Sequence, residues 1–256
     1  MDFERIVNET VLSGVAPVNL RYFGVFNGYD ERPEALKSQT SIFTSQTGVI
    51  EDLSSVTGER GARLTIRNIV HAIRFLQELS DKDVNIEWIS VQANVSLLDE
   101  EDVYSALKSV VDAEKCASPE KIRLEFPVEV FDLDRDKVKK GFSDVKASGL
   151  GVAISPITAE FALPILMDVP VDHVVLSQKL TALATDRNKT GVLTAIIALL
   201  HTMGLKVVAD GVANDDEIRE LTAVECFGFI PAPEYKGEFM LPLGAMEKGK
   251  IKFDEE

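Results

Sequence analysis

Six polar side chains stand where apolar runs of this chain end, and a catalyst would be built from such positions. Glu125 closes the run IRLEFP, Asp210 closes KVVADGV, and Gln92 and Asn94 close ISVQANVS. Ser155 ends GVAIS and Ser177 ends DHVVLS. Two carboxylates and one or two amides, with two hydroxyls, make a thin inventory for the chemistry to test, a divalent cation poised for phosphoryl chemistry. Such a cation wants several oxygen ligands, usually with two or more carboxylates close together. Glu125 and Asp210 fall on the fourth and seventh runs, which are not neighbours, and no lysine or arginine ends a run to meet a phosphate. Polar plugs at the mouth of a barrel are the competing reading of both acids. Other catalytic sets are missing. His71, His173 and His201 show neither HxH nor HExxH spacing, and there is no GxSxG, P-loop or GxGxxG. The string GLGVAIS, with Gly149 and Gly151, enters a strand instead of leaving one and reads as a turn.

The elements that must position these residues alternate almost throughout. Strands are expected near Leu20–Phe26, Leu36–Phe43, Ile86–Gln92, Ile122–Phe126, Gly151–Ser155, Val171–Leu176, Lys206–Ala209 and Cys226–Phe229. Between them lie amphipathic stretches. Ile66, Ile69, Val70, Ile73 and Leu76 share one helical face, as do Val192, Ile196, Leu199, Leu200 and Met203. Asn214 with Glu217 three residues on reads as a helix N-cap. Eight strands alternating with helices imply an α/β fold, a TIM-like (β/α)8 barrel whose active residues collect at the C-terminal strand ends. The first two strands are joined by NGYDERPEA, too short for a crossover helix, so the barrel begins with an antiparallel strand.

Bulk properties narrow the partners. The chain has 256 residues, 45% of them hydrophobic, and carries a net charge of −15. That length suits one barrel domain, with a core over about residues 15–235 and a polar C-terminal arm over 236–256. A field of that sign repels nucleic acid and anionic membrane surfaces. Cys116 and Cys226 lie far apart without CxxC spacing, which fits a reducing compartment. The N-terminus MDFERIVNETVLSG has no apolar h-region, and no apolar run reaches the roughly 20 residues that span a bilayer. A cytoplasmic protein, or a fragment of a longer cytoplasmic chain, is the expectation.

From about Tyr22 to Pro233 the chain resembles the EAL domain, a family of bacterial cyclic di-GMP phosphodiesterases. IRLEFPVEV matches the family's LELEITES, DVPVDHVVLS its LPVDILKID, and GFIPAP its GYLFSRP. The most specific segment is HTMGLKVVADGVANDDEIREL, against HALGLRVVAEGVETEEQL. The resemblance places Glu125 on the LEIT glutamate, Asp210 on the first glutamate of AEGVE, and Asn94 or Gln92 on the VNLS asparagine. It places the Asp-Asp pair near Ile154, Ser155 and Pro156, the LKID lysine and aspartate at Val175 and Ser177, the second AEGVE glutamate at Ala213, and the QGY glutamine at Phe227. The chain also contains the literal tripeptide Glu34-Ala35-Leu36. Family spacing, counted forward from Tyr22 and back from Gly48, leads instead to Lys37, so Glu34 reads as a decoy preceding the strand.

The resemblance therefore implies a vestigial site of Lys37, Gln92, Asn94, Glu125, Ser155, Val175, Ser177, Asp210 and Phe227, with no catalytic residue and no metal. A non-catalytic regulatory or protein-interaction module in cyclic di-GMP-related signalling follows, with an unidentified protein partner. The alternatives are a cyclic di-GMP sensor, or a residual phosphodiesterase holding Mg or Mn. Lys37 is expected to point into the barrel mouth near Glu125. A homodimer is also expected, through ITAEFALPILMDVPVD from Ile157 to Asp172, where Phe161, Leu163, Ile165, Leu166 and Met167 exceed one helix face.

Overall fold

The computed structural model describes residues 18–28, 32–44, 48–50, 56–236, 246–247 and 250–251. Its elements run β1 (Val18–Phe26), β2 (Pro33–Thr44), β3 (Gly48–Ile50), α1 (Gly58–Asp81), β4 (Ile89–Gln92), α2 (Val103–Ala113), β5 (Ile122–Pro127) and α3 (Arg135–Ala147). There follow β6 (Gly151–Ile157), β7 (His173–Leu176), α4 (Gln178–Thr181), α5 (Thr190–Thr202), β8 (Lys206–Val212), α6 (Asp215–Ala223), β9 (Gly228–Pro231) and α7 (Pro233–Lys236). Strands pair in the order β1-β9-β8-β7-β6-β5-β4-β2, and a β1–β2 ladder closes the ring. β1 is antiparallel to both of its neighbours, while β2–β4 and every later pair are parallel. This is the (β/α)8 barrel with an antiparallel first strand. β3 is an addition outside the ring, antiparallel to β2.

All eight expected strands exist, with shifted ends. The third starts at Ile89 instead of Ile86, and the last runs Gly228–Pro231 instead of Cys226–Phe229. Ile86 and Cys226 are buried in the turns that enter those strands, so the apolar signal begins before the ladder does. The seventh extends through Val212, which puts Asp210 inside the strand and not beyond its end. Pro33 opens β2 opposite Phe26, as the first residue of the strand, where a missing N–H is tolerated. Most of the expected C-terminal arm lies outside the described residues. Within it, Met246–Glu247 pairs with Lys250–Ile251.

Two cores result. A large one fills the space between the barrel and its helices, fed by Ile69, Ile73 and Leu76 of α1. A small one fills the barrel itself, built from Val25, Ala35, Trp88, Val175, Val208 and Ile230. The expected face of α5 is corrected: the helix buries Leu193, Ile197 and Leu200, leaving Val192 50% and Leu199 42% exposed. TGVLTAIIALLHT is apolar on every side, so its periodicity cannot select a face. Among the described residues no helix is long and apolar enough to cross a membrane.

Candidate functional site

Alternation along each strand sends every second side chain into the barrel. On β2, Ala35 joins the inner apolar core and Lys37, two residues on, stands in the mouth. Glu125 reaches the same place from β5, Ser155 from β6 and Asp210 from β8. Lys37 Nζ lies 3.0 Å from Glu125 Oε1 and 3.6 Å from Asp210 Oδ2. It donates to Ser155 Oγ at 3.5 Å, and Ser90 Oγ donates to Glu125 Oε2 at 2.9 Å. The Glu125 side chain is 7% exposed, against 20% for Lys37 and 29% for Asp210.

Burial acts to lower the Lys37 pKa, but the charge of Glu125, then that of Asp210, and hydrogen bonds to both outweigh it, and the net shift is upward. The amine stays an ammonium. It is therefore no nucleophile for Schiff-base chemistry, which needs a lysine whose pKa is lowered. Among the described residues no three of His, Cys, Asp and Glu gather as a metal cradle.

Beside this triad opens a cavity of about 320 Å³, lined by Lys37, Glu125, Thr40, Asn68, Gln92 and Asn94 among others. Asn94 is committed to the fold. Its Oδ1 accepts from Ser96 N at 2.9 Å and its Nδ2 donates to Val56 O at 2.6 Å. Gly61 lets α1 approach that amide, for a Cβ there would stand 2.5 Å from Asn94 Oδ1. Gln92 is exposed, and its Oε1 accepts from Thr40 N at 3.4 Å. Asn68, 1% exposed, donates from Nδ2 to Thr40 Oγ1 at 2.8 Å, and its Oδ1 has no partner among the described residues.

The remaining expected positions are not brought to this cluster. Ser177 caps α4, its Oγ accepting from Leu180 N at 3.3 Å, and lines a separate groove that shares Asp210. Val175 is buried in the barrel's inner apolar core. Phe227 precedes β9 and packs on Trp88 at 4.5 Å, in the floor and not the mouth. Glu34 lies at the start of β2, where it accepts from Asn27 Nδ2 at 3.2 Å. Ser90, Thr40 and Asn68 were not singled out from the sequence. Ser90 was within reach, standing two residues before Gln92 on the same strand face. Asn68 and Thr40 meet only through the fold.

A family model for the EAL domain matches residues 51–229. BluF, the blue light- and temperature-regulated antirepressor of Escherichia coli strain K12, is 27% identical over 186 residues, 71% of this chain and 43% of BluF. The EAL enzyme Bd1971, in its cAMP- and cyclic di-GMP-bound form, superposes with a TM-score of 0.77 at 15% identity, over 89% of this chain and 63% of that one. The PaMucR phosphodiesterase in its cyclic di-GMP complex gives a TM-score of 0.74 at 17% identity, over 90% and 95%. At such identities the superpositions establish a shared fold. The chain spans less than half of BluF and under two-thirds of Bd1971. The family model covers well over half of the 256 residues, and the barrel with its reversed first strand agrees with it: the chain belongs to the EAL domain family.

Proposed function

We propose that this chain is a catalytically inactive EAL domain, serving as a regulatory or protein-interaction module in cyclic di-GMP-related signalling. One observation carries the reading: the Lys37 ammonium lies between Glu125 and Asp210, where its charge takes the role a cation would have. The metals of the family do not fit these residues. Two carboxylates already share a cation, and Asn94 spends both ends of its amide on backbone. A dication about 4 Å from an ammonium is disfavoured by about 8 kcal/mol at an effective dielectric of roughly 20. Without a metal, an attacking water keeps its bulk acidity. The likeness to BluF, an antirepressor, supports a regulatory role. Cyclic di-GMP incubated with the protein and either magnesium or manganese is expected to remain intact. Turnover that disappears in Glu125→Ala would overturn the reading.

A second reading, a cyclic di-GMP sensor, is favoured by the cavity beside Lys37 and by the unpartnered Asn68 Oδ1 in its wall. Cyclic di-GMP complexes of Bd1971 and PaMucR support it. Saturable nucleotide binding without hydrolysis, weakened by Asn68→Leu, selects the sensor. Absence of binding selects the interaction module.

A further inference from the structure

The floor of the barrel, at the opposite end from Lys37, carries its own polar basin of about 440 Å³, lined by Glu87, Lys121, Arg123, Lys146, Gly151 and Asp172 among others. Arg123 is its central group. The guanidinium carbon lies 3.8 Å from the Trp88 ring centroid, and Nη1 lies 3.0 Å from His173 Nδ1. A guanidinium only donates, so Nδ1 accepts and the imidazole proton sits on Nε2. His173 is 1% exposed, and burial, followed by the charge of Arg123, holds its pKa well below the ordinary range. The partner of Arg123 is thus a neutral ring.

Three acids face this basin, and two of them are already paired. Asp172 Oδ1 takes Lys146 Nζ at 2.6 Å, and its Oδ2 accepts from Val152 N at 2.8 Å. Glu87 pairs with Lys206, whose ammonium stands 4.3 Å from the Phe227 ring centroid. The third, Glu120, is exposed on the rim. Lys121 donates to Asn85 Oδ1 at 2.8 Å and Ile86 O at 2.9 Å, both neutral. Among the described residues, Lys121 and Arg123 have no carboxylate at ion-pair distance, and Asp172 and Glu87 act on the Arg123 guanidinium only through space, in a chain of net charge −15. A half-buried guanidinium with such partners keeps an open fork suited to a planar anion. Gly151 makes room for the Arg123 stem and the Asp172 carboxylate, since a Cβ there would stand 2.6 Å from Arg123 Cγ and 3.0 Å from Asp172 Oδ2. The nearby acids select against a dianion such as phosphate, because each extra negative charge meets three carboxylates.

We infer that this floor binds a small monoanionic carboxylate, gripped by the Arg123 fork with the charge of Lys121 beside it. The site is independent of the mouth and of the reading proposed for it. Trp88 is the chain's single tryptophan, so its emission reports events at Arg123 directly. Acetate, inorganic phosphate and chloride titrated at constant ionic strength and neutral pH should separate: acetate saturates the signal, and the other two do not. A short peptide with a free C-terminus, run beside its amide, shows whether a chain terminus satisfies the site better than a free acid. Arg123→Lys keeps the charge but removes the fork and should weaken acetate binding by roughly tenfold or more. Equal responses to acetate and chloride, absence of saturation in the wild-type chain, or a lysine variant that binds as tightly would each leave Arg123 as a plug in the barrel floor and overturn the inference. The wild-type titration decides even if the variant does not fold.

Discussion

Lys37 is held by two acids of unequal burial, and Glu125, 7% exposed against 29% for Asp210, is the more buried. Replacing Lys37 with Met keeps the stem and strands that carboxylate, so a loss of about 3–5 kcal/mol is expected in urea unfolding. Lys37→Met with Glu125→Gln should recover most of it, which separates the lost charge from lost packing. Because the folded pKa of Lys37 is raised, its contribution is complete below the unfolded value and is lost only as pH rises through the folded one. His173 acts at the other end of the scale. Its folded pKa is depressed by burial first, so the unfolded chain takes the proton more readily as pH falls. Stability should decline from about pH 6.5 toward the folded pKa, by at most about 1.4 kcal/mol per pH unit, and His173→Gln should flatten that limb. Family spacing counted from Tyr22 and Gly48 was enough to prefer Lys37 over Glu34, and the odd separation of the two along β2 sends them to opposite faces. The same counting could not find Asn68, whose contact with Thr40 bridges a helix and a strand 28 positions apart.

At the level of elements, legibility followed the contrast between faces. The N-cap at Asn214 was readable, and its Oδ1 accepts from Glu217 N at 2.9 Å while Glu217 Oε2 accepts from Ala213 N at 2.7 Å. Asn214→Ala is expected to cost about 1 kcal/mol in denaturant unfolding. The buried face of α5 was not readable, because a helix without a single Asp, Glu, Lys or Arg offers no polar side to oppose. Leu193→Ala should cost about 2–4 kcal/mol, and Leu199→Ala well under about 1 kcal/mol, by the same measurement. The opposite ranking would return the helix to the face that its sequence suggested. Strand existence was legible from β-branched runs, whereas strand ends were blurred by buried turn residues such as Ile86.

For the whole molecule, the expected homodimer now rests on a smaller patch. Between Ile157 and Asp172, Leu166 is buried and Phe161 packs on Phe131 at 5.6 Å, leaving Met167, 71% exposed, as the large apolar side chain turned fully outward. Light scattering at micromolar concentration should give twice the 28.1 kDa chain mass, and Met167→Glu should halve it. A dimer unmoved by that change points to Val192 and Leu199 on α5 as the contact. The reversed first strand was legible from a connection too short for a helix and the barrel from eight strands alternating with helices, and the inner apolar layer that holds Val175 was not. The role given to Lys37 is tested most directly by manganese titrated into the full chain and followed by calorimetry. The expected result is no saturable heat, in wild type and Glu125→Ala alike. A saturable site in the wild-type chain that vanishes in Glu125→Ala would contradict it, because a dication would then be displacing the ammonium from its two carboxylates.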